Sequence, residues 1–325
     1  MRILLQILPQ RRAFLLTLLV VAALFFAAAG QRVQSQPAVK QAVLRFPADR
    51  SLGKLFRLKI VDPASPQPEL VPYADARANV TVPASTRLML RISYTGATDL
   101  APLANCADQE VIYSIDGRNV DNLSDQSLRD IAKLKSVKEL LLKDTDITDK
   151  GAQYIASMPQ LVHLDLCETM ITARGLSSLR SLTALRTLDA AVLSIKGTDL
   201  ACLVPMVHLE YLDLSRTRLS NEALKNLSKV ITLGKLRMTN NSDITDEGVP
   251  ELANLRNLKE LNLIGTGVTK KVLTTLQKMK QLNSVALSLP PEELVQIRLS
   301  LRKTNPGCQV LGSVPTKIKA EFFHP

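Results

Sequence analysis

Apolar residues recur along this chain with a period of 24, and this repeat limits the possible folds more than any other feature. A column of apolar residues opens successive units at Val137, Leu161, Leu185, Leu209, Leu233, Leu258 and Leu282, with one extra residue in the Leu233 unit. A second column keeps step with it at Leu140, Leu164, Leu188, Leu212, Leu236 and Leu261. Self-similarity with a period in the twenties is typical of solenoids, in which each unit buries its apolar face against its neighbours.

Each unit resembles the leucine-rich repeat, whose pattern is L-x-x-L-x-L-x-x-N/C-x-L. The resemblance covers residues 111–310. The repeats are similar to ribonuclease-inhibitor-like repeats and to those of bacterial envelope proteins with 24-residue T-x-I-T-D-x-G-L repeats. It implies an α/β solenoid with a parallel sheet on the concave face and return helices on the convex face. Threonine replaces the usual Asn or Cys in most units, and its hydroxyl can still tie the turning backbone, as at Thr145, Thr169, Thr217 and Thr266.

The segments around the repeats predict caps. We expect the leucine-rich repeats with their caps to occupy residues 99–313, followed by a C-terminal tail at 314–325. Ahead of them, residues 42–98 are predicted to form a small β-rich capping domain, with strands near 42–46, 54–61, 79–82 and 87–94. The prolines of residues 62–72 predict a loop between the second and third of these strands.

The N-terminus carries an apolar run at residues 13–29 without a charged residue, after Arg2, Arg11 and Arg12. This pattern favours a transmembrane signal-anchor helix over residues 13–30, and the small residues at 27–30 leave a cleaved signal peptide as the alternative. The arginines predict that residues 1–12 stay in the cytoplasm, whereas the linker 31–41 and the repeats lie outside it. The protein is then membrane-anchored and extracytoplasmic, or secreted if the segment is cleaved.

Composition and motifs narrow the functional classes. The chain has 325 residues, a net charge of +11, 4% aromatic residues and no Trp. Few aromatic faces and an exported location argue against a nucleic-acid partner. Phosphate-binding loops, dinucleotide fingerprints and zinc-protease motifs are absent from the sequence, so we expect no cofactor and no small-molecule substrate. The basic residues concentrate in the C-terminal half, which is compatible with a structural envelope component held on acidic polymer or lipid.

His163, Asp165 and Cys167 alternate with apolar residues and would share one face of a strand. Residues two apart on a strand are roughly 7 Å apart and residues four apart roughly 13 Å apart. His163 and Cys167 therefore cannot form a catalytic dyad or share a metal ion, whose ligands lie within about 2.3 Å of it. We expect neither a catalytic centre nor a metal centre here, and interpret the three side chains as points on a binding surface.

Three aspartates align in the central column of the concave face, and Asp165, Asp189 and Asp213 are called the aspartate row below. Arg237 closes one end of the row, and like charges at strand spacing should raise a pKa or attract a cation or a basic partner. The predicted partner-binding residues are His163, Asp165, Asp189, Tyr211, Asp213, Lys235, Arg237 and Asn262. Three interpretations remain open: a merely solvated polar face, a divalent-cation site, and a protein contact. The sequence favours a non-catalytic protein-interaction module over an enzyme.

Overall fold

The computed structural model describes residues 40–59, 68–106, 110–195 and 197–312. The predicted membrane segment at 13–30 and the tail at 314–325 lie outside these residues. Within the described ranges, no helix is both long enough and apolar enough to cross a membrane. The described residues from Gln41 to Gly312 belong to one compact unit.

A parallel sheet runs through the repeats, as the 24-residue period predicts. Each unit contributes one short strand, and neighbouring strands pair in parallel through the series β6 (Ile112–Asp116), β7 (Glu139–Leu141), β8 (His163–Asp165), β9 (Thr187–Asp189), β10 (Tyr211–Asp213), β11 (Lys235–Arg237), β12 (Glu260–Leu263), β13 (Ser284–Leu287) and β14 (Gln309–Gly312). Neighbouring strands pack about 4.8 Å apart, which is closer than neighbouring helices can pack. Because the strand side of each unit is therefore narrower than the return side, the stack curves with its strands on the concave face.

The return segments are α-helical in some units and 3-10 in others. The α-helices are Asp125–Ile131, Asp149–Ile155, Ala173–Ser178, Asn221–Leu227, Leu273–Leu276 and Pro291–Thr304. The 3-10 helices within the repeats are Leu179–Ser181, Gly197–Leu203, Val249–Asn254 and Lys270–Val272. A helix was expected in every unit, but the return segments Gly197–Leu203 and Val249–Asn254 are 3-10.

The apolar columns form one continuous core. The side chains of Leu140, Leu164, Leu188, Leu212, Leu236 and Leu261 are at most 2% exposed. Each of them lies between the equivalent residues of the two adjacent strands, for example Leu212 between Leu188 and Leu236. A unit therefore has no core of its own, and its stability depends on contact with both neighbours.

The turn after each strand is built by backbone geometry and by the threonine hydroxyl. Thr145 Oγ1 donates to the carbonyl of Leu142 at 2.7 Å, and Thr169 and Thr217 make the same bond in their units. This confirms that threonine ties the turning backbone. The unit with the extra residue instead buries Asn241, whose amide donates to the carbonyls of Leu214 and Met238.

A clamp outside the sheet joins consecutive units. The Asp149 carboxylate accepts hydrogen bonds from the backbone N and the Oγ1 of Thr172, at 2.8 and 2.7 Å. Thr172 is the N-cap of the next helix, and its Oγ1 accepts from the N–H of Arg174. The same arrangement joins Asp125 to Thr148 and Asp246 to Thr269, and Asn221 to Thr245 with an amide in place of the carboxylate.

The glycine of the I-T-D-x-G motif makes room for this clamp. A Cβ at Gly175 would lie 2.3 Å from Asp149 Oδ1, and one at Gly151 would lie 2.4 Å from Asp125 Oδ1. In these two units the aspartate packs where a Cβ of the next unit would lie, whereas Val272 holds the equivalent position after the Asp246–Thr269 pair, in a 3-10 segment. The I-T-D-x-G motif therefore indicates a contact between neighbouring units as well as the start of a helix.

The N-terminal strands continue the sheet of the repeats. β5 (Leu88–Ile92) pairs in parallel with β6, and β2 (Gly53–Lys59) and β3 (Glu69–Asp75) extend the sheet in antiparallel fashion. β1 (Gln41–Arg45) and β4 (Asn79–Pro83) form a separate two-stranded sheet. The expectation of a loop over 62–72 was wrong for residues 69–72, since β3 contains Pro72. β3 is the last strand of the sheet, where a residue without an N–H is tolerated.

Both ends of the described repeats depart from the repeating pattern. At the N-terminal end, two 3-10 segments, Gly96–Thr98 and Ala101–Cys106, precede the first repeat strand. At the C-terminal end, the 14-residue helix Pro291–Thr304 buries Leu294, Ile297 and Leu301, and β14 follows it as the last parallel strand.

Candidate functional site

The structure places the predicted binding residues in two neighbouring columns on the strand face opposite the core. His163, Thr187, Tyr211 and Lys235 align in one column. The second column contains the aspartate row and continues to Arg237, Asn262 and Ala286. All eight predicted residues therefore share one surface across β8 to β12.

Each carboxylate of the aspartate row accepts a hydrogen bond from the backbone N–H two residues later. Oδ1 of Asp165 accepts from the N–H of Cys167 at 3.0 Å, and Oδ1 of Asp189 accepts from the N–H of Ala191 at 3.0 Å. The same bond recurs at Asp213 and, with an amide oxygen, at Asn262. Aspartate or asparagine at this position thus terminates the strand in an Asx turn, which needs an acceptor oxygen but no charge.

Arginine neutralises the Asp213 end of the row. Arg237 Nε lies 3.3 Å from Asp213 Oδ2, and the Tyr211 hydroxyl lies 3.5 Å from the same oxygen. The Lys235 ammonium lies 5.8 Å from the centre of the Tyr211 ring and 2.7 Å from Glu260. Asp213 is buried within this network.

Asp116 extends the central column at its other end and was missed from the sequence. Its carboxylate, 3% exposed as a residue, receives Arg91 Nε at 2.8 Å and Arg118 Nε at 2.9 Å. Burial opposes ionisation, but the hydrogen bonds from Arg118 and Arg91 outweigh it and lower the pKa of Asp116. The alternation of polar and apolar residues in Ser114–Ile115–Asp116 indicates a strand with Asp116 on the face opposite the core. The irregular first unit obscured this pattern.

Asp165 and Asp189 differ from the two ends of the column. Within the described part of the chain, no Lys or Arg lies within ion-pair distance of either carboxylate, and their second oxygens have no hydrogen bond. Burial raises the pKa of Asp189 to about 6, and the charges of Asp213 and Asp165 add to this rise. Burial likewise raises the pKa of Asp165.

The aspartate row is therefore partly buried rather than fully solvated. Flanking side chains remove enough water to make desolvation a larger influence on the aspartates than their mutual repulsion.

His163 and Cys167 do not act together. His163 Nδ1 lies 2.9 Å from the Thr187 hydroxyl, which belongs to the next strand. Cys167 is 7% exposed, and burial raises the pKa of its thiol to about 12. A buried thiol with a raised pKa is a poor nucleophile at neutral pH. Each of the four cysteines, all of them within the described ranges, is a thiol and not half of a disulfide.

Comparison with known proteins gives a family match and a structural match. A model of the leucine-rich repeat family matches residues 133–156 and 206–228. Among solved structures, the chain is similar to an internalin from Listeria monocytogenes, with 17% identity, 74% of this chain and 86% of that chain covered, and a TM-score of 0.48. A search of curated proteins finds no match.

The described repeats form a solenoid with an exposed sheet face. Each unit contributes one strand and one return segment, and the units stack on shared leucine columns. The family model matches residues 133–156 and 206–228 as leucine-rich repeats, and the neighbouring described units have the same architecture. Solenoids of this kind present extended surfaces and serve in general as protein-interaction modules.

Proposed function

We propose that this protein binds a protein partner through the concave strand face, and that the partner places a basic side chain on Asp165 and Asp189. One observation carries the proposal: these two carboxylates are partly buried and have no Lys or Arg within ion-pair distance among the described residues, whereas Asp116 and Asp213 form ion pairs with arginines. A lysine or arginine from a partner would neutralise them and stabilise their ionised forms.

Tyr211 supports the same assignment. Its ring is half-buried beside the aspartate row and lies next to Lys235 and Asp213. Tyrosine is enriched among residues that dominate binding energy, because a large rigid ring becomes desolvated at little cost in conformational entropy. It is the expected anchor for an apolar or cationic side chain of the partner.

Site-specific photo-crosslinking tests the proposal. A crosslinker at Thr187, which lies between His163 and Tyr211 in their column, should capture a partner in native envelopes. The matched position is Gln153, exposed on a return helix, where no capture is expected. The double variant Asp165→Asn/Asp189→Asn keeps the Asx turns and should lose the Thr187 adduct. Equal capture in the double variant would contradict binding at the aspartate row.

We further propose that the repeats are displayed outside the cytoplasmic membrane and anchored by residues 13–30. The support is the uncharged run after Arg11 and Arg12. Intact mass of the mature protein decides between an anchor and a signal peptide. A chain that begins near Gly30 would contradict the anchor, and the repeats would then be secreted.

A structural role on acidic polymer or lipid is the second candidate. The helix Pro291–Thr304 exposes the apolar side chains Val295 and Leu299 beside the exposed Arg298 and Arg302. Such a face fits an anionic surface, and its retention should fall when salt screens the charges. Envelope retention that persists in 1 M salt after removal of residues 1–30 would contradict this role.

A further inference from the structure

A shallow hollow lies on the same strand face as the aspartate row, on the side of the row that faces the C-terminal repeats. It has a volume of about 200 Å³ and is bordered by Arg237, Asn262, Ser284 and Leu311. Its floor is Ala286, which stands between Asn262 and Leu311 in the central column. The small alanine side chain leaves the space, and Leu311, 53% exposed, supplies an apolar wall.

The distance from the aspartate row to the hollow fits a short extended peptide. Four strand spacings separate Asp189 on β9 from Ala286 on β13, which is about 19 Å at ~4.8 Å per spacing. An extended chain covers this distance in about six residues at ~3.3 Å each. Side chains six positions apart project to the same side of an extended chain, so both would face the sheet.

We propose, on the basis of the function assigned above, that the partner contributes an extended segment lying across the strands. In this segment a Lys or Arg contacts Asp165 and Asp189, and an aliphatic residue six positions away fills the hollow above Ala286. The charge of the row selects the basic residue, and Ala286 with Leu311 selects the aliphatic one. Together they define a spacing that neither contact defines by itself.

Fluorescence anisotropy with labelled nine-residue Gly/Ser peptides tests this spacing on the full chain in detergent. One pair of peptides holds Lys and Leu six positions apart, in both orders, and the control pair holds them three positions apart. We expect at least one spacing-six peptide to bind about tenfold tighter than its control, the scale of burying one aliphatic side chain.

Variants at the hollow separate the two contacts. Ala286→Leu fills the space and should remove the tenfold preference without weakening the control peptides. Ala286→Ser keeps the space open and should retain the preference, and Leu311→Asp at an exposed position should reduce it. A preference that is absent in both orders, or unchanged in Ala286→Leu, would overturn the inference.

The double variant Asp165→Asn/Asp189→Asn distinguishes failure of this inference from failure of the proposed function. It should weaken every lysine peptide, whatever the spacing. If it binds all peptides as wild type does, the aspartate row is no binding site and both proposals fail. If only the spacing preference is missing, binding at the row stands and the hollow is unused.

Discussion

Asp149 and Thr172, 23 residues apart, are joined by two hydrogen bonds that hold one repeat unit to the next. Asp149→Ala removes both acceptors and should lower the free energy of unfolding by about 1–2 kcal/mol, the scale of a lost cap and hydrogen bond. Asp149→Asn is the control and should cost much less, because Asn221 holds Thr245 in the same way. Urea denaturation measures both changes.

A double-mutant cycle with Gly175 sharpens this prediction. Gly175→Ala places a Cβ against Asp149 Oδ1 and should be destabilising. In Asp149→Ala the obstructing oxygen is absent, so the second change should cost about 1 kcal/mol less than in the wild-type background. Strictly additive costs would show that the glycine serves some purpose other than making room for the aspartate.

Asp189 should make stability depend on pH between its unfolded and folded pKa values. Its folded pKa, about 6, exceeds the ordinary value of 3.8, so the folded state binds the proton more tightly. The stabilising contribution is complete below about pH 4 and is lost as the pH rises through about 6. Asp189→Asn should therefore stabilise the protein at pH 7.5, by about 1 kcal/mol after solvent screening, and have little effect at pH 4. A gain that is equal at both pH values would contradict the raised pKa.

Val192 occupies a left-handed turn position, with φ of 64°, that its β-branched side chain disfavours. The equivalent turn residues include Asn119, Asn240 and Gly265, which adopt positive φ more easily. Val192→Asn should raise the free energy of unfolding by about 1 kcal/mol. The control is Val207→Asn, since Val207 is also exposed but is not among the residues with positive φ. A similar gain from both changes would point to surface polarity as the cause.

Leu212 lies fully buried between the strands of two neighbouring units. Leu212→Asp should cost about 4 kcal/mol or more, because it leaves an unpaired charge in the shared core. Its effect should extend beyond one unit, which amide hydrogen exchange in β9 and β11 would detect. Lys150→Glu, at an exposed position in the first turn of a helix, should be nearly silent. Loss of protection confined to β10 would contradict shared stability.

Periodicity alone was enough to predict the strands, the register of the columns and the core leucines. Each of these depends on a local pattern that every unit repeats, and a one-residue error would turn the leucines out of the core. The alignment of Asp165, Asp189 and Asp213 followed from the same register. The threonine turns were predictable because a hydroxyl three residues after a carbonyl bonds locally.

The remaining features depend on contacts that the sequence does not display. Desolvation of Asp189 comes from side chains of neighbouring strands, so the sequence suggested repulsion where burial is the larger cause. The pairing of Asp116 with Arg91 joins residues 25 positions apart in an irregular unit. The need for Gly175 arises only when the Asp149 side chain of the preceding unit packs over it. The sequence determined the repeating unit, and the tertiary structure decided what each unit requires of its neighbour, because packing and burial are properties of the stack.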